Sequence, residues 1–193
     1  MTAFAKFEKT YGPGSDCRPA PVAAIDKFGA RLPPQLVQHW RESGWCSYGD
    51  GLIWTINPDD LIDVLDDWLG PDHGAIPFCR SPFADVFLWH DGAVKSFAVQ
   101  FGKLNKIMSN IEPFFDGLLC DKSYVNDMLL RKLFRQALKK LGPLKFDECY
   151  GFQPVLALGG SGEIDTVVKV KMREYLGILS QVVEVEANPF RQG

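Results

Sequence analysis

Two apolar runs, Ala84 to Trp89 and Ala93 to Val99, are separated by only three residues, His90, Asp91 and Gly92. Parallel pairing needs a crossover of a dozen or more residues, so this link leaves only an antiparallel hairpin, and its glycine suits the turn. Lys103 to Met108 follows closely enough to add a third antiparallel strand. The middle of the chain is therefore a meander, and the remaining elements must cover it.

Upstream, Phe4, Phe7 and Tyr11 form the stripe of a short helix that stops at Gly12-Pro13-Gly14. A turn-rich stretch reaches Pro21. Val22, Ile25 and Phe28 mark a second helix, and Leu32-Pro33-Pro34 opens a third that ends at Ser43-Gly44. Three helices are thus expected before the first strand. Trp45 to Ile56 reads as a hairpin around Gly49-Asp50-Gly51. Downstream, Ile111 to Leu119 reads as a short helix and Ser123 to Leu141 as the longest one, ended by Gly142-Pro143. Gly151 to Leu158 and Thr166 to Lys171 read as strands, with the loop Gly159 to Gly162 between them and a helix over Met172 to Val182. The fold class expected is α+β: a mainly antiparallel sheet flanked by helices, as one globule or as two α+β subdomains packed together near a boundary at 110–123.

The most distinctive chemistry follows Asn57-Pro58. Asparagine caps a helix, proline fits its first turn, and Asp59 and Asp60 face the positive end of its dipole. On a continuous helix to Leu69, Asp59, Asp60, Asp63, Asp66 and Asp67 share one face opposite Leu61, Ile62, Leu65, Trp68 and Leu69. Residues 57–72 carry six acids and no base. A solvated outer face is one reading. The other is a surface for a basic partner, because Asp66 and Asp67 oppose the dipole at the helix end and no lysine at i+4 offsets them. The basic counterpart, Arg131, Arg135 and Lys139 flanked by Lys132 and Lys140, lacks the interleaved aromatics of a nucleic-acid surface and is available to pair with the acidic helix of the same fold.

Other chemistry is excluded or weak. The net charge of −3 argues against direct nucleic-acid binding. Five cysteines, an odd number without CxxC spacing, read as buried thiols in a reducing compartment. No run approaches the roughly 18 apolar residues of a membrane span. Charges at Lys6, Glu8 and Lys9 fall where a signal peptide would be apolar, so the expectation is a cytoplasmic protein without membrane contact. His39, His73 and His90 have no nucleophile or carboxylate at recognisable spacing, and Gly159 to Gly162 lacks the lysine of a phosphate loop. Adjacent Asp147 and Glu148 would point to opposite sides of an extended chain. No catalytic residue, metal site or cofactor is expected.

Two sets of residues resemble known families. Leu32-Pro33-Pro34-Gln35-Leu36-Val37-Gln38-His39-Trp40, Gly44-Trp45, Asp50 to Trp54 and Asn57-Pro58-Asp59-Asp60 resemble the GAD-like domain over residues 1–110. Phe134 to Ala137, Leu141 to Leu144, Asp147-Glu148 and the string Tyr150-Gly151-Phe152-Gln153-Pro154-Val155-Leu156-Ala157-Leu158-Gly159-Gly160 resemble the C-terminal domain of type VI secretion immunity proteins over residues 111–193. The pairing implies a non-enzymatic immunity protein that binds a cognate toxin effector, a nuclease acting on DNA, and covers its DNA-binding or active-site surface. Under that resemblance the acidic residues Asp59, Asp60, Asp63, Asp66 and Asp67 are the expected contacts. The alternative is a scaffold or regulatory interaction module of the Smi/Knr-like type. No feature of the sequence encodes the oligomeric state.

Overall fold

A computed structural model describes residues 2–186. The chain folds as α+β. Its elements run α1 (Ala5–Tyr11), β1 (Ser15–Arg18), α2 (Val22–Phe28), α3 (Pro34–Glu42), β2 (Trp45–Tyr48), β3 (Ile53–Thr55), α4 (Ile62–Leu69), β4 (Ile76–Arg80), β5 (Val86–His90), β6 (Ala93–Ala98), β7 (Lys103–Met108), α5 (Lys122–Asp127), α6 (Arg131–Leu141), β8 (Glu148–Phe152), β9 (Val167–Lys171) and α7 (Met172–Leu179). Strands β1 to β7 form one antiparallel sheet in chain order, and β8 and β9 form a separate antiparallel pair. The hairpin expected at His90 is present, with Trp89 opposite Val94 and His90 opposite Ala93.

Several expectations need correction. The stretch read as turns between α1 and α2 contains β1, so only one helix precedes the first strand. Strand β4 lies where no element was expected. The strand expected over 151–158 instead spans β8 and ends at Phe152, beyond which a 3-10 turn covers Leu156–Leu158.

The long helix from Ser123 is two helices, broken at Leu130, whose φ is 50°. The cause is rotational phase. Val125 and Phe134 are both buried, but at about 100° per residue a continuous helix would place them on opposite sides. The break lets both α5 and α6 turn their apolar residues inward.

Cysteine pairing is the other correction. Cys17 on β1 and Cys46 on β2 form a disulfide, while Cys79, Cys120 and Cys149 are free. The antiparallel register that sets Ser15 opposite Ser47 and Arg18 opposite Trp45 brings the two together, with Cα atoms 4.2 Å apart. That proximity exists only because the turn-rich stretch forms a strand.

One cluster of buried apolar side chains extends from Phe4 to Leu179. Phe115 stacks on Phe4 with ring centroids 4.1 Å apart and meets Phe7 edge-on at 5.2 Å. Phe114 packs against Phe78 and Phe87. Phe83 stacks on Phe152, and the Tyr150 amide donates to the Pro82 carbonyl at 2.8 Å. The core of the first 110 residues is therefore completed by aromatic side chains from beyond them, each pair adding about 0.5–1.5 kcal/mol to area burial.

Candidate partner-binding surface

The cap read from the sequence forms, but the helix after it is interrupted. The Asn57 side chain accepts from the Asp59 amide at 3.2 Å, and Pro58–Asp60 make a single 3-10 turn. Leu61 leaves helical geometry at φ −131°, after which α4 begins. Val64, Leu65, Trp68 and Leu69 bury one face of α4, and Asp63, Asp66 and Asp67 lie exposed on the other. Asp59 and Asp60 are exposed on the preceding turn, so the five acids occupy two adjoining elements instead of one continuous helix face.

The acids are also partly neutralised from elsewhere in the chain. Lys27 at the end of α2 pairs with Asp59. Arg173, in the first turn of α7, donates to Asp63 Oδ1 at 2.9 Å and Oδ2 at 2.7 Å, and to the Asp60 carbonyl at 2.6 Å. These bonds hold the Asp63 carboxyl below its usual range. His73 Nε2 lies 3.5 Å from Asp66. The His73 Nδ1 accepts from the Ala75 amide, which leaves the ring proton on Nε2, toward Asp66. Burial lowers the His73 pKa, countered in part by Asp66.

Among the described residues, Asp60 and Asp67 have no ion pair within 4.0 Å. Although Asp60 is exposed as a residue, partial burial of its carboxyl raises its pKa despite the attraction of Arg18, Arg173 and Arg80. The pairing open to the basic stripe is not found among the described residues, where Arg131, Arg135 and Lys139 form no ion pair with the acidic stretch and Lys27 and Arg173 take that part. Arg131 and Arg135 instead line a groove with Tyr11, Asp50 and Asp121. Neither Lys27 nor Arg173 was legible as a partner. Each is separated from its carboxylate by too much sequence for spacing to reveal, 32 residues in one case and 110 in the other.

The histidines occupy structural positions. His39 is fully buried and shares a hydrogen bond with the Tyr48 hydroxyl at 3.0 Å, and burial lowers its pKa to about 4. His90 sits at the hairpin end between Asp91 and Lys95. No helix among the described residues is long and apolar enough to cross a membrane.

Comparison with known families gives the surface its context. Residues 2–102 match the GAD-like domain, and residues 108–183 match the C-terminal domain of the type VI secretion immunity protein Tdi1. The chain belongs to the type VI secretion immunity proteins that join a GAD-like domain to a Tdi1-type C-terminal domain. The two family segments meet within β7, and the shared aromatic core spans both. The crystal structure of Atu4351 from Agrobacterium tumefaciens has the same fold, with a TM-score of 0.76 at 17% identity over 90% of this chain and 86% of that one. No curated protein matches the chain.

Proposed function

We propose that this immunity protein binds and neutralises a cognate nuclease effector that cleaves DNA, by covering its DNA-binding or active-site surface without catalysis of its own. The observation that carries this reading is an exposed acidic stretch, Asp59, Asp60, Asp63, Asp66 and Asp67, on a chain of an immunity family. A nuclease presents cations to the phosphate backbone, and an acidic surface competes for them while accelerating encounter through complementary charge. The internal pairs rank the five residues. Asp59 and Asp63 already hold cations of this chain, so Asp60 and Asp67, with Asp66 beside them, offer the charge to an effector. The GAD-like segment, 1–110, and the C-terminal segment, 111–193, act together as its binding partner.

The test is a pull-down with the nuclease candidate encoded beside this gene, followed by DNA cleavage at increasing ratios of the two proteins. Stoichiometric loss of cleavage is the expected outcome. Asp66→Lys with Asp67→Lys should weaken the complex about tenfold or more and flatten its salt dependence. Unchanged affinity and salt dependence would remove the acidic stretch from the interface, and a chain that binds no nuclease would return the reading to a scaffold role.

A further inference from the structure

Beside the acidic turn lies a cavity of about 240 Å³ where the two family segments meet. Its walls include Arg18 of β1, Asp60, Arg80 of β4, Phe146 and Arg173 of α7. Most of the charge around it is already paired: Arg173 with Asp63, Asp59 with Lys27, and Asp147 with Lys171. Arg18 and Arg80 are different. Among the described residues, neither has a carboxylate within 4.0 Å.

Arg80 is 1% exposed and lies with its guanidinium 4.5 Å from the Trp54 ring centroid. Its terminal nitrogens donate to the carbonyls of Ser81, Lys145 and Phe146 at 3.1–3.3 Å, but its Nε–H has no acceptor among the described residues. A buried guanidinium without a counter-ion is costly, and burial lowers its pKa to about 10. Arg18 lies over Phe146, its guanidinium carbon 4.0 Å from the ring centroid, and brings a second cation to the same space. Asp60 feels both guanidiniums from beyond ion-pair distance.

From this arrangement we infer that the cavity is a receptor for a single carboxylate group, taken from a small carboxylic acid or from a side chain of a bound protein. Guanidinium matches carboxylate in shape and charge. The size selects a small guest, because the space holds several waters of about 30 Å³ but falls below the roughly 300–1,000 Å³ of pockets for drug-sized molecules. A phosphate dianion suits it less, since Asp59, Asp60 and Asp147 also face the cavity and repel the second charge. The protein-borne carboxylate rests on the function proposed above; the free acid does not.

The experiment follows the arginine Nε–H signals of the full chain by nuclear magnetic resonance during titration with sodium propionate, with sodium chloride and sodium phosphate at matched ionic strength. The Arg80 signal should shift saturably with propionate alone, and Arg18→Gln, a change on an exposed edge strand, should weaken that response about tenfold. No saturable shift, or the same shift with chloride or phosphate, would overturn the inference. Addition of the nuclease effector then separates the sources. Movement of the Arg80 signal that propionate reverses assigns the carboxylate to the effector, and a complex that leaves the signal unmoved assigns the site to free acids. Failure of any complex to form would refute the proposed function while leaving the propionate result intact.

Discussion

Arg173 grips Asp63 through two hydrogen bonds, so that the first turn of α7 is fastened to the outer face of α4. The acidic surface of this chain is therefore not a bare run of charge. It is a surface trimmed by the chain's own cations, and its remaining strength lies at Asp60, Asp66 and Asp67. The Arg173 side chain is 48% exposed and that of Asp63 62%, which limits the pair's contribution to roughly 0–1 kcal/mol.

The pair sets a sign for acid stability. Arg173 depresses the folded pKa of Asp63, so its stabilisation is complete above the unfolded carboxylate value of about 3.9 and is lost as pH falls through the lower folded value. Urea midpoints of wild type and Asp63→Asn should differ by a constant amount at pH 6 and converge as the pH drops below about 4.

Asp85 has the opposite sign. Burial pushes its carboxyl up to about 7, moderated by the Val99 amide and the Ser81 hydroxyl. Between about pH 4 and 7 the unfolded chain ionises this group while the folded chain keeps the proton. Folding then loses as much as about 1.4 kcal/mol per pH unit. The urea midpoint of the wild type should fall across that interval, and the slope should flatten in Asp85→Asn.

Reduction should separate β1 from its neighbour. Cys17 and Cys46 close a loop across 29 residues of sequence separation, for which chain entropy assigns about 3–4 kcal/mol. Cys17→Ser, or dithiothreitol on the wild type, should lower the urea midpoint accordingly. Thiol titration of the unfolded, unreduced chain should find Cys79, Cys120 and Cys149.

Phe115 tests whether the two family segments share one core. It is fully buried against Phe4, Phe7 and Phe78, so Phe115→Ala should cost about 3–5 kcal/mol. A single unfolding transition with a lowered midpoint is expected from both tryptophan fluorescence and circular dichroism. Two separated transitions would mean that the segments unfold independently.

Local signals were legible in the sequence, and long-range ones were not. The hairpin at His90 and helices α1, α2 and α3 follow from spacing and punctuation over fewer than a dozen residues. Strand β4 escaped because it is buried at all five positions, which removes alternation, and because Pro77 argues against a central strand. The sheet accommodates that proline where the β4–β5 register shifts between Pro77 and Cys79. Strand β1 escaped for the reverse reason: all four residues are exposed, so no apolar pattern marks it. At the acidic surface the residue types and the Asn57 cap were readable, whereas the break at Leu61 and the cations from α2 and α7 arise only on folding.

The order of the seven-stranded sheet bears on synthesis. Each strand from β2 to β7 pairs with the one made just before it, so the sheet can grow as the chain leaves the ribosome without waiting for distant residues. Helix α1 has no such luck, because the ring that stacks on Phe4 belongs to Phe115, made more than a hundred residues later. Helix α1 is thus seated in full only late, and a chain cut short before residue 115 would keep Phe4 against His39 and Phe7 against Tyr48 but leave both without the ring that closes over them.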